Sequence, residues 1–237
     1  MSFIIAVHVN EGIILASDRR TSYTNTTNMP DGSVVKRIGI HTTDSTDKTF
    51  LCPNGVGIST CGDASLNGKP ITGYIYEMIR TLIKEETDID DVPKIIRSYF
   101  KPYSELNTSF IVAGYKVLED KKKEQKIYSI NLSTTDNQKV DTCSQGAIWD
   151  GETLTLTRLI KNVGIKQADG SYSDLPFEDI LWNFFTLQDA IDFARYSVET
   201  TINTMRFKNV VETVGGNVDI LVITPNEARW LQKEALR

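Results

Sequence analysis

Four segments carry residue types that could do chemistry. The run Gly62-Asp63-Ala64-Ser65-Leu66-Asn67-Gly68-Lys69-Pro70 has the look of a phosphate loop. That loop needs four residues between its glycines and a Ser or Thr after the Lys. Here five residues separate the glycines and Pro70 follows the Lys, so phosphate binding is not expected. Gly57-Ile58-Ser59-Thr60-Cys61-Gly62 is not a nucleophile elbow, because its second glycine comes one residue late. The three cysteines, Cys52, Cys61 and Cys143, form no CxxC pair, and His8 and His41 are the two histidines. A zinc site or a disulfide framework is therefore not expected; Cys61 and Cys143 read as core residues. The fourth segment is the N-terminus. Ser2 is small enough for initiator-methionine removal to expose it, and Asp18-Arg19-Arg20 places a carboxylate beside two cations at the end of a strand. The plain reading of Asp18 is an ion pair with one of those arginines.

The elements that must position these residues follow from hydrophobic pattern. Phe3–Val9 is apolar and β-branched, residues 10–12 (Asn-Glu-Gly) supply a turn, and Ile13–Ala16 leads a second strand. Neither alternates, so both are expected to be buried on both faces. Phe110–Ala113 and Ile220–Ile223 share that character. Further strands are expected over Val34–Ile40, Thr49–Cys52, Val56–Cys61, Lys126–Leu132, Lys139–Ser144 and Thr153–Ile160, with Lys121–Lys123 as a solvated hairpin turn. Ile71, Tyr74, Ile75, Met78, Ile79, Leu82 and Ile83 fall on one helical stripe. Val92–Phe100 and Leu187–Met205 repeat the pattern, and a short helix is expected over Ala228–Leu236. This order does not alternate strand and helix, so a parallel sheet is not expected. Antiparallel strands buried on both faces need helices outside and another sheet inside. The expected fold is α+β, a four-layer αββα sandwich, in a single domain over residues 1–237.

The chain has 237 residues, 40% of them hydrophobic, and a net charge of −5. That supports a packed core and excludes the basic footprint of a nucleic-acid binder. No apolar run approaches the length of a membrane helix, and the first residues lack the basic start of a secretory signal. No nucleic acid, membrane, metal or cofactor is expected. The odd cysteine count favours a reducing, cytoplasmic setting.

Residues 2–22 resemble the start of mature proteasome β-type subunits, members of the N-terminal nucleophile (Ntn) hydrolases. The spacing from Ser2 to Gly12, Asp18, Arg20 and Ser22 matches that family without a gap. Lys36-Arg37-Ile38 resembles its lysine-bearing strand. Residues 58–64, through Gly62, resemble its small-residue turn, and Val214-Gly215-Gly216 resembles its late Gly-Gly. The start and the ending look closest to bacterial proteasome-related proteins such as the Anbu group. The αββα sandwich is also the fold of that family. The resemblance implies an Ntn hydrolase that cleaves peptide or amide bonds and forms a homo-oligomer, ring or spiral. It makes Ser2 the nucleophile, its own α-amine the base, Asp18 the carboxylate that holds a neighbouring cation, and Gly62 N–H the oxyanion donor. Ser22, Thr60 and Gly62 would contact substrate.

Alignment puts Arg37, not lysine, at the family's cation position, with Lys36 next door. Arginine stays charged and can tune an amine but cannot shuttle a proton. The family's late Asp-x-x-Ser falls on Val211 and Val214, with Glu212 and Thr213 out of register. Its middle serine falls on Gln145, beside Ser144. If Met1 is retained, Ser2 has no free amine. Two readings follow: a Ser2 peptidase or amidase, including one for a small amide, or a non-catalytic proteasome-like scaffold or assembly subunit.

Overall fold

The computed structural model describes residues 2–135 and 137–235. In chain order the strands are β1 (Phe3–Val9), β2 (Gly12–Ser17), β3 (Thr21–Asn28), β4 (Val34–Thr43), β5 (Thr49–Leu51), β6 (Gly57–Gly62), β7 (Ser65–Leu66) and β8 (Lys69–Pro70). The second half holds β9 (Thr108–Val117), β10 (Lys123–Asn131), β11 (Asn137–Lys139), β12 (Gly146–Gly151), β13 (Gly164–Lys166), β14 (Tyr172–Asp174), β15 (Asp219–Ile223) and β16 (Ala228–Gln232). The α-helices are α1 (Ile71–Leu82), α2 (Val92–Phe100), α3 (Leu154–Ile160) and α4 (Leu187–Met205). None of them is long and apolar enough to cross a membrane.

Two five-stranded sheets dominate, ordered β12-β1-β2-β15-β16 and β11-β10-β9-β6-β5, and every pair in them is antiparallel. The unbroken apolar runs of β1 and β2 are explained by what lies on each side. Ile4, Ala6, Ile13 and Leu15 pack with Ile111, Ala113 and Ile127 of the other sheet. Phe3, Ile5, Val7, Ile14 and Ala16 turn the other way, onto Leu156 of α3 and Ala190, Ala194 and Val198 of α4. Ile71, Ile75 and Met78 of α1 join Ile96 and Phe100 of α2 against Ile58, Phe110 and Val112. A reciprocal capping box starts α4: Asp189 N–H donates to Thr186 Oγ1, and Thr186 N–H donates to Asp189.

Three elements differ from the sequence expectation. Residues 154–160 form α3, with Thr153 as its N-cap residue, rather than a strand, because Leu156 and Ile160, four apart, are the pair that reaches the core while Leu154 and Leu159 face out. The C-terminal piece is strand β16, not a helix. Ala228 and Trp230 alternate onto the inter-sheet core, and the strand covers an edge of β15 that would otherwise leave backbone groups unpaired. The expected strand over Lys139–Ser144 is not formed: residues 140–144 are irregular, the strand here is β11, which ends at Lys139, and β12, which had no strong apolar signature, pairs with β1. Between the sheets' first and later strands, β3 and β4 form a separate two-stranded ribbon that is exposed over residues 24–37.

Candidate functional site

The turn at residues 10–12 makes β1 and β2 antiparallel neighbours, so the beginning of one meets the end of the other. Asp18, fully buried, follows β2 and reaches back to β1. Its Oδ1 accepts from Phe3 N–H at 3.0 Å and from Lys48 Nζ at 2.8 Å. Its Oδ2 accepts from Arg20 N–H at 3.0 Å and Gly215 N–H at 2.9 Å. Four donors on one carboxylate account for how a buried charge is accommodated. Gly215 belongs to the late Gly-Gly, and that is what brings residue 215 to residue 18.

The cation is Lys48, which immediately precedes β5. It is buried, and its ammonium donates to Asp18 and to the Arg20 carbonyl. Burial pushes its pKa below the ordinary lysine value, and Asp18 works against that shift. The surrounding hydroxyls fix the strand that carries it: Thr49 Oγ1 donates to Ser17 Oγ at 2.8 Å and lies 2.9 Å from Ser59 Oγ. Thr60 N–H donates to the Lys48 carbonyl at 2.8 Å, which ties Lys48 to β6.

Ser2 is buried at the head of β1. Glu152 N–H donates to its carbonyl at 2.8 Å, and Gly151, with φ +92°, lies so close that a Cβ there would come within 1.8 Å of Ser2 O. Gly62 ends β6 at φ +116°, and a Cβ there would come within 2.3 Å of the Asn107 carbonyl. Both positions require glycine for space as well as for conformation.

One pocket gathers Ser2, Ser22, Lys48, Thr60 and Gly62 on its walls, with Asp18 bound to Lys48. Ser22 Oγ lies 3.4 Å from Thr42 Oγ1 and donates to the Glu212 carbonyl at 3.3 Å. Lys36 and Arg37 are not brought here. They sit on β4, exposed and paired with Thr26 and Asn25 of the ribbon. Lys48, which does line the pocket, stands twelve residues after Lys36, beyond the end of the ribbon. Its one local signal is its place immediately before the apolar strand that pairs with the Gly62 strand.

Other charges brace the site. Arg19 is buried and donates to Asp219 at 2.6 Å and Asp47 at 2.7 Å. Burial raises the Asp219 pKa, and Arg19 opposes the rise. Arg20 pairs with Asp44 and, at 2.5 Å, with Glu212. Thr213 Oγ1 donates to Glu152 at 3.1 Å. Val214 is in the core and Val211 is exposed. Gln145 supports the β1–β2 turn, accepting from Asn10 N–H at 2.9 Å. Burial pushes the Cys61 thiol well above its ordinary pKa, which keeps it protonated and inert. Met1 lies outside the described residues.

No protein-family model matches this sequence, and no curated protein matches it. Among solved structures the chain is similar to the Gly-1 mutant of Anbu from Hyphomicrobium sp. strain MC1. The TM-score is 0.57 at 13% identity, over 94% of this chain and 82% of that one. At that identity the likeness is one of fold alone, and the fold is proteasome-related.

Proposed function

We propose that this chain is a proteasome-like Ntn hydrolase, folded as one αββα domain over residues 1–237, that cleaves peptide or amide bonds with Ser2 after Met1 is removed. The observation that carries the reading is the buried Lys48–Asp18 pair, with Lys48 on the pocket that also holds Ser2 and Gly62. Lys48 takes the role the sequence alignment gave to Arg37 or Lys36.

In this reading the freed α-amine of Ser2 is the base. An α-amine has a pKa of about 7.7–8.0, so roughly a tenth is neutral at pH 7. The positive charge of Lys48 nearby raises that fraction. The amine takes the Ser2 Oγ proton while Oγ bonds to the substrate carbonyl carbon, and the carbonyl π electrons move to oxygen. Gly62 N–H donates to that oxyanion. Collapse expels the leaving amine, which takes the proton back from the Ser2 ammonium, and an ester to Oγ remains. Water, deprotonated by the same amine, then attacks the ester; Oγ leaves and recovers its proton. Asp18 holds Lys48 in place and touches no reacting atom.

A second reading, a non-catalytic scaffold or assembly subunit, is favoured by Val211 and Val214, which stand where the resemblance calls for Asp and Ser. Intact mass and N-terminal sequencing separate the two. Ser2 at the first cycle, labelling by a serine-reactive electrophile, and loss of both label and turnover in Ser2→Ala support the hydrolase. A retained Met1, or full activity in Ser2→Ala, overturns it.

A further inference from the structure

The cavity at Ser2 and Gly62 is small, about 20 Å³. A single water needs roughly 10–15 Å³ on this measure, whereas pockets for drug-sized ligands run to several hundred. Three of its walls cannot swing aside. Thr60 is 5% exposed, and its Oγ1 donates to the Ser109 carbonyl at 3.1 Å. Ile71 is 6% exposed and packed into the α1–α2 core. Thr21, also 6% exposed, is paired with Thr43 at the root of the ribbon. Enlarging the cavity on these three sides would mean moving β6, α1 or β3, each held by core packing or ladder hydrogen bonds.

We propose that Thr21, Thr60 and Ile71 restrict the substrate residue on the acyl side of the scissile bond to glycine, alanine or serine. The inference rests on Ser2 being the nucleophile. A hydrogen, methyl or hydroxymethyl fits a space sized for about one water; a leucyl or phenylalanyl side chain does not.

The test is a pair of electrophiles that differ only in bulk, methanesulfonyl fluoride and phenylmethanesulfonyl fluoride, read by intact mass and peptide mapping. In each, Ser2 Oγ bonds to sulfur, the S–F bond breaks, fluoride leaves, and the amine keeps the proton. Rates are divided by each reagent's rate with a free serine amide. Labelling of Ser2 is expected to be at least about tenfold faster for the methyl reagent. Thr60→Ala is expected to shrink that ratio, and Thr60→Ser, which keeps the hydroxyl, to shrink it less. Equal rates for both reagents on the unaltered chain overturn the size restriction and leave Ser2 as nucleophile. An unchanged ratio in Thr60→Ala overturns the assignment of Thr60. No labelling by either reagent overturns the nucleophile, and the restriction with it.

Discussion

Asp18 and Lys48 illustrate how a buried pair sets up a testable pH dependence. Asp18→Asn removes the group that opposes burial at Lys48 and leaves an ammonium uncompensated. The expected cost is about 3–5 kcal/mol in urea unfolding near neutral pH. The Lys48 pKa should also drop further. A lysine whose folded pKa lies below its unfolded value binds fewer protons when folded. Stability therefore rises with pH from the folded pKa up to the unfolded one. Urea midpoints across pH should show that rise beginning at lower pH in Asp18→Asn than in the unaltered chain. His8 gives an acid-side counterpart. Burial lowers its pKa from 6.5, with Asp141 opposing. Stability linked to His8 is present above pH 6.5 and is lost as pH falls through the folded pKa. His8→Gln should flatten the decline in Tm between pH 7 and pH 5; an unchanged slope would show that His8 is not responsible. At this scale the sequence pointed to Ser2, Asp18 and Ser22 through a spacing with no insertion up to residue 22, and to Thr60 and Gly62 through the small-residue turn; the structure puts Ser2, Ser22, Thr60 and Gly62 on one pocket, with Asp18 bound to Lys48 beside it. The sequence did not lead to Lys48, whose one local mark, standing immediately before the strand that pairs with β6, becomes informative only once that pairing is known.

At the level of elements, legibility followed the strength of the periodic signal. The helices α1, α2 and α4 bury several residues on one stripe, and each was evident from 3.6-residue spacing. Helix α3 buries Leu156 alone, and its Thr/Leu alternation imitates a strand. Strand β16 is legible only once β15 is known to have a free edge. Strand β12 is half-buried throughout, and its terminal Gly151 is what seats Ser2. Gly151→Ala should therefore act on the site through an element, by forcing Ser2 and β12 apart. Strain at positive φ costs on the order of 1–3 kcal/mol before any clash is counted. The expected outcome is a destabilisation of at least about 2 kcal/mol in urea together with slower electrophile labelling at Ser2. A Gly151→Ala chain with unaltered stability and labelling would show that this close approach does not hold Ser2.

For the whole molecule, a homo-oligomer of the kind the resemblance implies would be built from faces that the core leaves outside. Two sheets pack through one apolar cluster, and each also carries a cluster shared with its own helices. Beyond those clusters, Leu82 at the end of α1 is 45% exposed and Leu159 of α3 is 54% exposed. They lie on helices that serve different sheets, so a contact through one does not require the other. Leu82→Lys and Leu159→Lys add a charge at positions that contribute little burial within the chain, so each variant should unfold within a few °C of the unaltered Tm. If neighbouring copies bury either leucine, the lysine must be desolvated in the interface, and association weakens. Light scattering at micromolar concentration is expected to give the unaltered chain a mass several times that of one copy, and at least one of the two variants a smaller one. An unaltered chain that runs as a monomer overturns the oligomer. An oligomer that survives both substitutions moves the contact off these helix ends, to the exposed β3–β4 ribbon, whose two strands have no third strand to support them.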